Sequence, residues 1–187
     1  MSNEMPRRVR GWIFDVYPSD VGEMAIWIIS ENGERVRLTD KFQPKVYVSS
    51  KYENVERLIS KIYSNLDIAS WSFVYKYANP TDSEKSKVLE ITLKDCRRVS
   101  AFTNEILKLG DYLRYQVHNC DLHGDRAYYF SHDLFPLAFL EVETQKTDLK
   151  YTLLDSVERI NYSIPPLRIM QIDVVDKKGK IGDLTTP

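Results

Sequence analysis

The sequence is poor in the residues from which many small domains build stabilising or catalytic sites. Its two cysteines, Cys96 and Cys120, are too few for a disulfide framework. The cysteines and the three histidines are not spaced as zinc ligands are, which argues against a zinc site. No apolar run is long enough to cross a bilayer, and the N-terminus lacks the apolar core of a secretion signal. We therefore expect an intracellular, cytoplasmic protein with no membrane contact.

An excess of charge of either sign is also missing. The chain has 26 basic and 27 acidic residues and a formal net charge of −1, so no global field would attract a polyanion. Short basic runs occur at 7–10, 97–98 and 177–180, although such runs are more often solvated surface than binding sites. Any contact with nucleic acid is therefore expected to be local.

Hydrolase motifs are absent as well. The sequence contains no Gly-x-Ser-x-Gly and no glycine-rich phosphate loop. The Asp-Leu-His-Gly-Asp run at 121–125 is more simply explained as a turn and a helix cap than as an acid–base cluster.

The first 43 residues predict an antiparallel β-meander. Apolar, β-rich runs at 12–17 and 24–29 are separated by Pro18-Ser19-Asp20. Asn32-Gly33 then predicts a type I′ hairpin, in which both residues have positive φ.

Residues 44–122 alternate between strand and helix periodicity. Apolar alternation predicts strands near 46–48, 71–77, 89–93 and 115–117. A capping box at 50–53 and an N-cap at Asp95 predict the two helices. The order β-α-β-β-α-β is typical of a ferredoxin-like unit, with two helices on one face of a four-stranded sheet. We expect the aromatic residues of 71–77 to face a core or a neighbouring layer.

The rest of the chain predicts a connection and the start of another domain, so the fold class is α+β. Segment 123–163 contains a predicted helix over 125–133 and strands near 139–143 and 151–154. From residue 164, Pro165-Pro166 leads into an apolar run that predicts a strand reaching Asp173. Such a carboxylate is typical of a divalent-metal site, but position 175, on the same side of the strand, is Val175. Segment 164–187 is thus expected to be the truncated start of an α/β domain with an incomplete metal site.

These motifs, in this order, resemble archaeal-type family B DNA polymerases. The run at 165–174 is similar to the entry of their ribonuclease-H-like 3′–5′ exonuclease domain, where the strand ends in Asp-Ile-Glu. Phe-Gln-Pro-Lys-Val-Tyr at 42–47 is similar to Phe-Arg-Pro-Tyr-Ile-Tyr of their N-terminal domain, and 121–136 can be aligned with a helix entry. The resemblance covers nearly the whole chain. It implies the polymerase N-terminal domain, which lines the path of the template strand, followed by the start of the exonuclease domain.

Archaeal members carry in this domain a pocket that captures uracil in the template. The resemblance places the pocket at Tyr17, Pro44, Lys45, Cys96, Ser100, Leu122, His123, Gly124 and Ala127. Of these positions, only Pro44 and Leu122 hold a residue of the type that the family has there. Lys45, for example, replaces an aromatic residue. His123-Gly124 likewise replaces a Pro-Phe pair. We therefore expect poor discrimination between uracil and thymine.

The same resemblance implies other contacts and cofactors. Phosphate-contact candidates are Lys45, Arg97, Arg98 and Arg126, although such cations can simply solubilise a surface. Asp173 would be a remnant exonuclease carboxylate and a candidate metal ligand. The parent enzyme would be a proofreading-deficient paralogue. The chain lacks the palm, whose two metals perform nucleotidyl transfer, so alone it should be inactive and without a cofactor. The parent polymerase would need Mg²⁺, and the partners would be single-stranded template DNA and the remainder of the polymerase.

Two other functions stay open at the level of sequence. A free-standing ferredoxin-like module could bind RNA or a protein, although 87–92 lacks the RNP1 pattern of RNA-recognition domains. A metal-dependent nuclease in its own right would depend on Asp173.

Overall fold

The structure, a computed structural model, describes residues 8–50, 55–110, 114–144, 148–159, 161 and 163–170. It confirms a mixed α+β fold built on two antiparallel sheets. The strands are β1 (Arg8–Asp20), β2 (Glu23–Ser30), β3 (Arg35–Lys41), β4 (Lys45–Ser49), β5 (Ile68–Lys76), β6 (Ser86–Leu93), β7 (Gln116–His118), β8 (Phe139–Thr144) and β9 (Leu149–Leu153). The helices are α1 (Glu56–Ile62), α2 (Val99–Lys108) and α3 (Gly124–Ser131). A 3₁₀ turn, Cys96–Arg98, precedes α2.

The first sheet has the strand order β3-β2-β1-β8-β9. Segment 123–163 is therefore more than a connection, since it supplies β8 and β9, and β8 pairs with β1. Apolar residues alternate along the strands, among them Ile13, Ile26 and Leu140, and they form one buried cluster with Tyr128 of α3. This core fixes α3 against one face of the sheet.

The hairpin between β2 and β3 forms where it is predicted, but its turn type is different. Gly33 has a φ of +83°, whereas Asn32 is not in the left-handed region. The Gly33 amide donates to the Ser30 carbonyl at 2.8 Å, and the Ser30 amide donates to the Glu34 carbonyl at 2.9 Å. These bonds close a three-residue loop with a left-handed glycine, so the predicted type I′ turn is wrong.

The second sheet has the strand order β5-β6-β4-β7, with every pairing antiparallel. Both α1 and α2 pack on one face of it, through Leu58 and Phe102 against Leu89 and Ile91. Asp95 caps the 3₁₀ turn as predicted, because its carboxylate accepts the Arg97 amide at 2.9 Å. Helix α1 begins at Glu56, after the capping box predicted at 50–53, most of which lies outside the described residues.

Phe73 packs against the core of the second sheet as predicted, whereas the other three aromatic residues of 71–77 are exposed. Trp71 is 44% exposed, Tyr75 66% and Tyr77 57%. The predicted alternation of these residues along β5 is correct. The strand lies at the outer edge of the second sheet, and no layer of the described chain lies over the exposed aromatic residues.

The segment after Pro165-Pro166 departs from the predicted strand. Residues 163–170 form no strand, because none of them pairs with a neighbouring strand. The segment is held by the Trp12 indole, which donates to the Ser163 carbonyl at 2.9 Å, and Pro166 lies beside Gly33. Asp173, the predicted metal ligand, lies outside the described residues.

The described residues contain neither a candidate membrane span nor a candidate metal site. No described helix combines the length and the apolar character needed to cross a membrane. No group of three His, Cys, Asp or Glu side chains within the described ranges could hold a metal ion.

Candidate nucleic-acid cleft

A cavity of about 300 Å³ lies where the loop entering β4 meets α3, and we call it the cleft. Six of the nine residues predicted for the base pocket line it: Pro44, Lys45, Cys96, Leu122, Gly124 and Ala127. Its volume is at the lower end of the range for small-ligand sites. The structure thus brings together residues from three separate parts of the chain, at 44–45, at 96 and at 122–127. Their role in binding a base stays a prediction.

Seven further residues line the cleft and were not predicted from the sequence. They are Phe42, Gln43, Tyr47, Val99, Asn119, Phe130 and Ser131. Tyr47 and Phe130 matter most, because their rings supply a flat aromatic surface. Such a surface was expected to be missing, since Lys45 stands where the resemblance implies an aromatic residue. Phe130 is 66% exposed at the end of α3, where helical periodicity alone could not show that its ring borders a cavity.

Three predicted pocket residues do not line the cleft. Tyr17 lies on β1, where its hydroxyl accepts a hydrogen bond from the Trp27 indole at 3.3 Å, and that bond lowers its pKa. His123 is exposed at the N-cap of α3, and its carbonyl accepts the Ala127 amide at 2.9 Å. Ser100 is exposed on α2.

Gly124 allows α3 to begin against the floor of the cleft. A Cβ at this position would lie 2.9 Å from the Cys96 sulfur and 3.3 Å from Cγ of Pro18. Burial raises the pKa of the Cys96 thiol, which therefore behaves as a packing group rather than a nucleophile. The glycine that replaces the expected aromatic residue thus has a packing role of its own.

A buried hydrogen-bond network anchors α3 to the first sheet. The Tyr128 hydroxyl donates to Oδ2 of Asp40 at 2.6 Å and lies 2.6 Å from the Tyr151 hydroxyl. Burial raises the pKa of Tyr128 far above its ordinary range, so the phenol stays protonated and can donate. The His132 ring lies against Tyr128, with 4.2 Å between centroids. Through this network, β3, α3 and β9 hold one wall of the cleft in place.

The opposite wall carries charge on β4 and β6. The Lys45 ammonium contacts Oε1 of Glu90 at 2.9 Å, and this bond raises the pKa of Lys45. Burial alone would raise the pKa of Glu90, but hydrogen bonds from Lys45 and Tyr47 outweigh it, so the pKa is lowered overall. The Lys76 ammonium lies 4.5 Å from the centroid of the Tyr47 ring.

Three of the four residues predicted to contact phosphate form ion pairs within the protein. Arg97 makes a bidentate contact with Asp95, Arg98 contacts Asp67 at 2.9 Å, and Lys45 is paired as described. Arg126 is exposed, and no ion pair involving it occurs among the described residues. Their role as phosphate contacts stays a prediction.

A groove of about 520 Å³ beside the cleft carries cations that the sequence did not single out. It shares Phe42 and Gln43 with the cleft and also contains Lys41 and Lys94. Both lysines are exposed, and neither has an ion pair within the part of the chain that is described. No local pattern could have brought them together, because Lys41 ends β3 of the first sheet and Lys94 follows β6 of the second.

Comparison with known proteins relates this architecture to one class of enzyme. No protein-family model matches the chain, and no curated protein sequence does. The family B DNA polymerase of the hyperthermophilic archaeon Pyrobaculum calidifontis matches over 84% of this chain, with a TM-score of 0.60 and 19% sequence identity. The fold is that of part of a family B polymerase. The match covers 21% of the length of that polymerase.

The likeness confirms the coarser part of the sequence-based prediction. Two antiparallel sheets with few helices are consistent with part of an archaeal family B polymerase, which is the fold that the resemblance implied. At 19% identity the likeness concerns the fold alone.

Proposed function

We propose that this chain is the N-terminal domain of a family B DNA polymerase, which guides the single-stranded template and supports the neighbouring domains. The observation that carries the proposal is the cleft. Six of the nine positions selected by resemblance to the polymerase pocket line one cavity, inside a fold that matches such a polymerase over most of the chain.

The walls of the cleft support a site for an unpaired base. Tyr47 and Phe130 offer aromatic surface, and bases stack on such rings without regard to sequence. Lys41 and Lys94 lie in the adjoining groove, where they would meet the phosphates on either side of the bound nucleotide. The template strand would therefore enter along the groove and place one base in the cleft.

Uracil should not be preferred over thymine. Lys45 is the residue that replaces an aromatic wall, and its ammonium is fixed on Glu90 rather than aimed at a base edge. A pocket that excludes the thymine methyl needs a close and rigid apolar wall. Competition binding with oligonucleotides that differ only in one uracil or thymine tests this, and a clear preference for uracil would overturn it.

The template role predicts a particular salt dependence. Binding of a fluorescent single-stranded oligonucleotide should weaken steeply as salt rises, and the slope of log K against log salt should fall by about 0.7 for each phosphate contact removed. Lys41→Gln and Lys94→Gln should each lower the slope. Lys108→Gln, at an exposed site on α2 away from the cleft, is the matched control and should not. Binding that is insensitive to salt and to both variants would contradict the template role.

The second sheet fits a ferredoxin-like unit within this domain. Counted within the unit, its strands stand in the spatial order 2-3-1-4 with both helices on one face, which supports that interpretation. The same order keeps the alternative of a free-standing binding module open. The remaining exonuclease carboxylates and the palm motif in the adjoining genomic sequence would distinguish the two.

The start of a ribonuclease-H-like exonuclease domain at 164–187 remains part of the proposal. It rests on the sequence at Pro165-Pro166 and on Asp173. The remainder of the polymerase would supply the Mg²⁺ sites, and this chain alone should not degrade DNA. Degradation of a labelled oligonucleotide by the purified chain with Mg²⁺ or Mn²⁺, abolished in Asp173→Ala, would contradict this.

A further inference from the structure

We infer that the outer edge of the second sheet forms a further binding site, separate from the cleft, for single-stranded DNA. The site is a row of four aromatic residues that we call the ladder: Trp71, Phe73, Tyr75 and Tyr77. The choice of DNA as occupant rests on the proposed function, whereas the ladder itself rests on the geometry of β5.

Alternation along β5 places Trp71, Phe73 and Tyr75 on one side of the strand, and Tyr77 follows directly after its last residue. Successive residues on one face of a strand lie about 7 Å apart, so the rings form an evenly spaced row. The Trp71 and Phe73 rings meet edge to face at 5.8 Å between centroids, so they are not stacked on each other. Phe73 is half-buried against the core of the second sheet, whereas Trp71, Tyr75 and Tyr77 are exposed. An exposed row of this kind needs an occupant, since isolated domains rarely expose contiguous aromatic surface.

Lysines accompany the rings. The Lys87 ammonium lies 4.5 Å from the centroid of Phe73, and that of Lys85 lies 5.7 Å from the centroid of Tyr77. Aromatic rings that alternate with cations are what a single strand needs, because the bases stack while the phosphates meet the positive charges.

The charges of Lys85 and Lys87 favour DNA over an apolar protein surface as the occupant of the ladder. An apolar protein surface laid over the ladder would desolvate these ammonium groups without pairing them, which is costly. Phosphates would neutralise them. Lys87 is partly neutralised already by Glu56, and both side chains of that pair remain substantially exposed. Glu56 therefore competes with the phosphate and sets the strength of this contact.

Direct binding tests the site on the full chain. Fluorescence anisotropy with a labelled oligo(dT) should show that Tyr75→Ala and Tyr77→Ala each weaken binding by about tenfold. Tyr63→Ala, at an exposed tyrosine beyond the end of α1, is the matched control and should bind as the wild type does. Glu56→Gln should strengthen binding, since it releases Lys87.

A spectroscopic signal reports stacking separately from affinity. Oligo(dT) should quench the fluorescence of Trp71, and Trp71→Phe should lose that quenching while keeping a ring on which a base can stack. If Tyr75→Ala proves unfolded by circular dichroism, the double variant Lys85→Gln, Lys87→Gln decides through a reduced salt slope.

The cleft variants separate this inference from the proposed function. Weakening by ladder variants but not by Phe130→Ala or Lys41→Gln would support the ladder and count against the cleft. Weakening by the cleft variants alone would overturn the ladder. A dimer in sedimentation equilibrium that Tyr75→Ala dissociates would also overturn it, because the occupant would then be a second copy of the chain.

Discussion

Replacing Tyr128 with phenylalanine tests whether the buried hydroxyl network holds α3 in place. The hydroxyl donates to Asp40 at 2.6 Å, and Asp40 is 5% exposed. Tyr128→Phe removes that donor and leaves a buried carboxylate oxygen short of a partner. The His132 ring could not replace that donor, because its Nε2 lies 3.8 Å from Oδ2 of Asp40, beyond hydrogen-bond distance.

The magnitude follows from the kind of bond that is lost. Hydrogen bonds to charged groups contribute about 1.5–3 kcal/mol, and an unsatisfied buried partner places the cost toward the upper end. We expect Tyr128→Phe to lower the free energy of unfolding by about 2–3 kcal/mol. For a chain of this size this corresponds to a fall in Tm of roughly 4–12 °C.

Urea unfolding followed by circular dichroism measures the effect, with the m-value as a check that the unfolded state has not changed. Tyr129→Phe is the matched control, because Tyr129 is also buried on α3 but no hydrogen bond from its hydroxyl occurs in the described part of the chain. Its effect should stay below about 0.5 kcal/mol. A Tyr128→Phe protein as stable as the wild type would refute the role assigned to the network.

Local features of the fold could be predicted from the sequence because their causes are local. Asp95 caps its turn through an amide two residues away, and the hairpin at 30–34 forms where Asn32-Gly33 stands. The turn type was wrong because Asn-Gly fits either a two-residue or a three-residue loop. The register that decides between them is set by pairing along the whole of β2 and β3.

Long-range features could not be predicted with the same certainty. Pairing of β8 with β1 joins residues at opposite ends of the described chain, and no local pattern specifies it. The ladder was misjudged for a related reason. Alternation shows that Trp71, Phe73 and Tyr75 share a face, but only the assembled structure shows that the core reaches Phe73 and leaves the other two exposed.

The candidate site was predicted through resemblance and corrected by geometry. Motif matching found Pro44 and Leu122, which lie next to recognisable sequence signals. It missed Lys94 and Phe130, because their roles depend on which elements meet in space. It also treated Lys45 as a free cation, whereas the structure pairs it with Glu90 across two strands.

Three further predictions follow from charges and close contacts around the cleft. Hydrogen bonds from Arg97 outweigh burial and lower the pKa of Asp95, so its stabilisation is present above about pH 4 and is lost as the pH falls through the lowered value. Asp95→Ala should therefore cost about 1–2 kcal/mol in urea unfolding at pH 7 and progressively less as the pH falls below about 4, and a cost that does not change with pH would contradict the assignment. Gly124→Ala should destabilise the protein because its Cβ meets the Cys96 sulfur at 2.9 Å. A double-mutant cycle with Cys96→Ala should recover part of the loss, whereas additive effects would show that the contact is unimportant. Glu90→Gln should release Lys45 and tighten oligonucleotide binding by about threefold at low salt. The gain should disappear in Lys45→Gln, since an effect that persists without the lysine could not come from breaking this pair.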